Sequence, residues 1–144
     1  MGAPMRRLAR VAGLGLLLGL AGLLSSCGSS TPMTDKEAVT SAWTTFFDGT
    51  TSVAHRAAVL QHGAGATTDI RLFFSLFPAD LTTKVDAVRV NGHSAKVIYE
   101  FFAGTARLSR KPMTGTAVLV HGEWLVSWPT WSAWVRKSDI HGSG

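Results

Sequence analysis

The chain has 144 residues, 46% of them hydrophobic, with 14 Lys and Arg against nine Asp and Glu for a formal charge of +5. Its single cysteine rules out an internal disulfide and a cysteine-ligated zinc site, so any domain must hold together by its core. The cations are scattered rather than gathered in the dense stripe of a nucleic-acid binder, and no nucleic-acid partner is expected.

Arg6, Arg7 and Arg10 precede an apolar run from Val11 to Leu24, and Leu24-Ser25-Ser26-Cys27 follows where a lipobox belongs. A basic start, a short apolar run and small residues make an export signal. The run is about 14 residues, short of the roughly 20 that a spanning helix needs. An ordinary secretory signal would share the first two features, but the position, neighbours and uniqueness of Cys27 favour a lipoprotein. Residues 1–26 are therefore expected to be removed and Cys27 to carry acyl chains, each buried methylene contributing about 0.8 kcal/mol to membrane attachment. This predicts a protein lipid-anchored to the cell membrane on its extracytoplasmic face. Losing Arg6, Arg7 and Arg10 lowers the charge to +2 over the remaining 118 residues, a length suited to one domain. The expected organisation is a signal over 1–26, lipidated Cys27 and a flexible tether over 27–33, one domain over 34–137 and a frayed tail over 138–144.

Thr34-Asp35-Lys36-Glu37 fits a capping box. Val39, Ala42, Trp43, Phe46 and Phe47 then recur at helical spacing, which predicts an amphipathic helix that Gly49 would end in a left-handed conformation. A second helix is predicted from about Ser52 to His62, stopped by Gly63. A third starts near Thr68 or Asp69, carries Ile70, Phe73, Phe74 and Phe77 on one face, and closes at Pro78. From Thr82 the period changes to two. Strands are expected over 84–90 and 95–102, joined by a type I′ turn at Asn91-Gly92, with Val97, Tyr99 and Phe101 sharing one face. After a polar, basic connection over 103–113, strands over 114–120 and 123–128 flank a turn at His121-Gly122, and Pro129 ends the last. Residues 131–137 fit a final strand or a turn of helix equally well. Helices followed by an antiparallel meander of about four strands predict an α+β fold, with the helical stripes laid on one face of a curved sheet.

Trp43 to Gly63, WTTFFDGTTSVAHRAAVLQHG, resembles the characteristic segment of the mycobacterial low-molecular-weight secreted antigen family, and Thr114 to Ser127, TGTAVLVHGEWLVS, is similar to that family's closing hairpin. The resemblance spans roughly 35–127. It implies a cystatin-like or nuclear-transport-factor-like cone, an exported actinobacterial envelope protein and no enzymatic activity. The lipobox and the tryptophan-rich stretch from Trp128 to Trp134 depart from the family's usual pattern.

In a cone of this kind, chemistry would sit between helices and sheet. Tyr99, the only tyrosine, and the carboxylates Asp48 and Asp69 are the candidate pocket residues. A steroid-isomerase-like site would need a carboxylate base and an acidic donor aimed at one substrate oxygen, so a small pocket isomerase or hydrolase using a carboxylate with Tyr99 is the competing reading. Against it, Tyr99 suits a core position, Asp69 the first turn of a helix, and Asp48 a structural pairing with Arg56. His55 and His62 stand two turns apart, about 10 Å, too far to share a zinc. No nucleophile elbow, phosphate loop or dinucleotide fingerprint appears, and neither a metal nor a cofactor is expected. Trp124, Trp128, Trp131 and Trp134 crowd the last 21 residues. They would fill the open end of the cone, or form an aromatic surface for an apolar ligand or an envelope protein, or meet the bilayer interface. The leading expectation is a non-catalytic binding or interaction domain on a lipid-anchored envelope protein.

Overall fold

Thr34 caps the first helix, α1 (Asp35–Phe47), through the predicted capping box: its hydroxyl accepts the Glu37 N–H, and the Glu37 carboxylate accepts the Thr34 N–H at 3.0 Å. The computed structural model describes residues 31–138. The signal segment, Cys27 and the tail beyond Ser138 lie outside the described residues, and the account below concerns the unit that begins at Met33. All five residues of the α1 stripe are buried. The helix ends differently from expectation. Asp48 turns the chain out in an extended conformation, and Gly49 does not adopt a positive φ. Gly49 is needed for close approach instead, since a Cβ there would lie 2.5 Å from the Ala79 carbonyl oxygen.

Helix α2 (Val53–Ala58) begins at its Ser52 cap but stops four residues before His62. The reason is tertiary. Leu60 forms a parallel bridge with Val126, Val126 N–H donates to Val59 O at 2.8 Å, and Gln61 N–H donates to Val126 O at 2.9 Å. Backbone groups committed to a sheet edge cannot also continue a helix. A 3₁₀ turn at Gly63–Gly65 leads into α3 (Thr67–Phe74), whose Ile70, Phe73 and Phe74 are buried.

Five antiparallel strands follow: β1 (Leu81–Asn91), β2 (Ser94–Ala103), β3 (Ala106–Arg107), β4 (Met113–Val120) and β5 (Glu123–Val126). They form a curled sheet in the order β1-β2-β4-β5, with the short β3 also on β2. This is the α+β class expected, with one extra two-residue strand inside the polar connection. A register shift leaves Asp86 as a bulge in β1, which increases local twist. The first turn differs from the type I′ turn expected at Asn91-Gly92. Asn91 pairs with Ser94, so Gly92 and His93 are the central residues, and only Gly92 has positive φ, as in a II′ turn. His121 and Gly122 both have positive φ, the I′ pattern.

Ser127 then caps α4 (Trp128–Lys137), with Pro129 in its first turn and Arg136 and Lys137 in its last. The stretch that fits strand or helix equally well is thus a helix. Proline ends the strand and is pre-set for the first helical turn. A hydroxyl cluster ties α4 to β4: Thr130 Oγ1 accepts the Thr116 N–H at 2.9 Å, and Ser127 Oγ donates to Thr130 Oγ1 at 3.0 Å. The core between helices and sheet is aromatic, built from Trp43, Phe46, Phe47, Phe73, Phe74, Tyr99, Phe101 and Trp131. Trp43 lies against Gly115 of β4, where a Cβ would come within 2.7 Å of the indole.

Candidate functional site

Tyr99 sits mid-strand in β2 on the face it shares with Val97 and Phe101, all of them buried. Its ring is held by Trp43 at 5.2 Å, Phe101 at 5.4 Å and Phe47 at 5.7 Å between centroids. Its hydroxyl oxygen accepts the Trp134 indole N–H at 2.9 Å. Burial pushes the phenol up to about 12, and the indole bond opposes this only in part.

Tyr99 is among the residues lining a partly open cavity of about 260 Å³ between α4 and the sheet. Met113 and Thr114 approach from β4, and Thr130, Trp134 and Lys137 from α4. The last three stand at i, i+4 and i+7, one helical face. The Lys137 ammonium stands 5.5 Å from the Trp134 ring, within cation–π reach.

Neither carboxylate joins Tyr99 there. Asp48 follows α1, and its carboxylate accepts the Thr50 N–H at 2.8 Å and the Thr50 hydroxyl at 2.6 Å. Those two bonds hold its pKa below the ordinary carboxylate value, with Arg56 a smaller contributor and burial opposing. Asp69, in the first turn of α3, lines a separate cavity of about 180 Å³ with Trp128, Trp131, Ser132 and Arg136. The geometry therefore provides no carboxylate and phenol aimed at a common substrate oxygen.

Arg56, expected beside the Asp48 carboxylate, turns to backbone instead. Its Nε donates to Phe46 O at 3.0 Å and its Nη2 to Asp48 O, while the guanidinium covers the Phe74 ring at 3.6 Å. Arg56 thus closes the carbonyl end of α1, where helix termini leave acceptors unpaired.

The four late tryptophans are dispersed. Trp131 is 1% exposed and belongs to the core. Trp124 is buried in β5, and its indole donates to Asp35 Oδ1 at 3.0 Å. Trp134 is half-buried over Tyr99. Trp128 is exposed, edge-on to His62 at 6.0 Å. Met113, Thr114 and Thr130 are not singled out by the sequence, and Lys137 stands out there only as a cation, with Arg136, for anionic headgroups. The signal for Thr130 and Lys137 is the Ser127-x-Pro129 helix start, which puts residues 130, 134 and 137 on one face. Among the described residues, no group of three or more His, Cys, Asp or Glu could hold a metal ion, and no helix is long and apolar enough to cross a membrane.

The state of Tyr99 is directly measurable because it is the sole tyrosine. Its ultraviolet absorbance should titrate near 12 rather than at the ordinary 10.0. The folded state holds this proton more tightly than the unfolded chain. Its contribution to stability is therefore complete below about pH 10 and is lost as pH rises toward about 12. A midpoint near 10 in the folded protein would put the hydroxyl in water.

A family model described as low molecular weight antigen MTB12, C-terminal domain, matches residues 32–140. No curated protein and no solved structure matches the chain.

Proposed function

The chain belongs to the family of the low molecular weight antigen MTB12, and from that premise we propose an exported envelope protein, tethered by lipid on Cys27, whose domain binds rather than catalyses. The family is one of secreted antigens, so an antigenic role in an exposed host is consistent with membership. The lipobox order Leu24-Ser25-Ser26-Cys27 behind an arginine-led apolar run supports export with an anchor rather than release. The binding half of the reading is carried by one observation: a preformed cavity roofed by Trp134 and floored by Tyr99, with Asp48 and Asp69 both elsewhere. An apolar recess with a few fixed polar groups is the usual form of a small-ligand site. Its partners on this reading are the membrane, through the acyl chains, and a small ligand or envelope protein at the domain.

Intact mass measurement of the protein from its own envelope tests the anchor. The mature chain is expected to begin at Cys27 and to carry the mass of its acyl chains. Cys27→Ala should leave the precursor unprocessed and unacylated. Normal cleavage with membrane retention in that variant would refute the assignment.

A further inference from the structure

We propose that the cavity beneath α4 is a binding site for a small aromatic or apolar molecule bearing one carboxylate, with Lys137 and Tyr99 facing the anionic end and Trp134 and Met113 facing the ring. This rests on the reading of the domain as a binding module and names the ligand class.

Two groups of the lining have donors to offer, the Tyr99 hydroxyl and the Lys137 ammonium, while the Thr114 side chain belongs to the sheet face opposite Tyr99. The Tyr99 oxygen already accepts the Trp134 N–H, so the hydroxyl hydrogen is what remains to be offered, and no acceptor takes it among the described residues. Tyr99 is 1% exposed and packed on three aromatic rings, so this donor is held in place before any ligand arrives. Its high pKa keeps it protonated across the neutral range. Among the described residues, Lys137 brings the one formal charge in the lining, and no carboxylate lines the cavity. Thr130, the other hydroxyl, is engaged with Thr116 and Ser127. A free hydroxyl donor beside a cation complements an anion, and hydrogen bonds to a charged partner are the stronger kind. The apolar walls then select against a bare inorganic anion. At about 260 Å³, the space falls just below the roughly 300–1,000 Å³ of drug-sized ligand sites, which limits the occupant to a small molecule.

The test is a titration of the ¹⁵N-labelled mature lipoprotein in mild detergent, following the Trp134 indole N–H, with its resonance assigned by its loss in Trp134→Phe. Three probes are compared: phenylacetate, the neutral 2-phenylethanol and inorganic phosphate. Phenylacetate is expected to shift the indole saturably, with phosphate giving no saturation. Lys137→Met, an exposed substitution, should weaken phenylacetate by about tenfold or more, as expected for a charged hydrogen-bond partner, and leave 2-phenylethanol unchanged. Tyr99→Phe should weaken phenylacetate by roughly threefold or more on the same reasoning. Equal affinity for 2-phenylethanol, or no effect of Lys137→Met, would overturn the carboxylate assignment while leaving a binding module. No saturable shift with any probe would overturn the site itself, and the anchor would still be judged separately by the mass of Cys27.

Discussion

Trp131→Ala should lower the stability of the domain by about 3–5 kcal/mol, the range for truncating a large buried aromatic. Trp131 lies in α4 at 1% exposure, edge-on to Phe73 at 5.1 Å and Phe46 at 5.4 Å and stacked on Phe74 at 6.4 Å. Those three rings come from α1 and α3, so the indole is where the last helix joins the first and third. Aromatic pairs add about 0.5–1.5 kcal/mol each beyond the burial of their area, and Ala retains none of them. Against a total stability of roughly 5–15 kcal/mol, the loss would be visible as a large fall in the denaturation midpoint. Trp128→Ala, three residues earlier on the exposed side of the same helix, is the control and should cost far less. A loss below about 1 kcal/mol for Trp131→Ala would be that of a surface substitution and would exclude the indole from the core.

Arg56→Ala is also expected to be severe, on the order of 2–4 kcal/mol, since a buried acceptor left unpaired costs about 1–3 kcal/mol and the packing over Phe74 is lost as well. Arg56 is 4% exposed, and burial depresses its pKa while Asp48 works the other way. Its guanidinium satisfies two carbonyls at the end of α1 and covers Phe74. Truncation would strand the buried Phe46 acceptor, free the partly buried Asp48 one and open a gap over the ring. Arg56→Lys should recover less than half of the loss. A lysine keeps the charge favoured at a helix C-terminus but lacks the planar fork that reaches two acceptors while stacking on an aromatic face. Equilibrium unfolding of both variants checks this. Equal stability of Arg56→Lys and the parent would mean that charge alone matters, and the two-acceptor geometry would be refuted.

These two residues mark where sequence reasoning succeeds and where it stops. The α1 stripe, the capping box and the period-two strands are legible because they rest on bonds and spacings within a few residues. The two tight turns are legible in part: glycine at 92 and 122 marks them, but the first is centred on Gly92-His93, one residue later than expected, because Asn91 pairs with Ser94. The shortened α2 is not local. Its end is decided by Val126, some sixty residues on, drawing Val59 and Gln61 into bonds with a strand edge. Asp48 and Arg56 were visible as neighbours, but the choice of backbone oxygen over carboxylate depends on how α2 crosses the end of α1.

The candidate site divides the same way. By itself the sequence determined the α+β class, the family resemblance, the core-facing position of Tyr99 and the crowding of tryptophans near the end of the chain. Only the tertiary structure decided that α4 is a helix packed on the sheet, that Trp131 goes inward and Trp128 outward, and that Trp134 meets Tyr99 across 35 residues. A tryptophan's fate depends on which facing surface has room for its ring. For Trp131 that room is made among Phe46, Phe73 and Phe74 from two other elements, and no spacing within the last turn of chain encodes it.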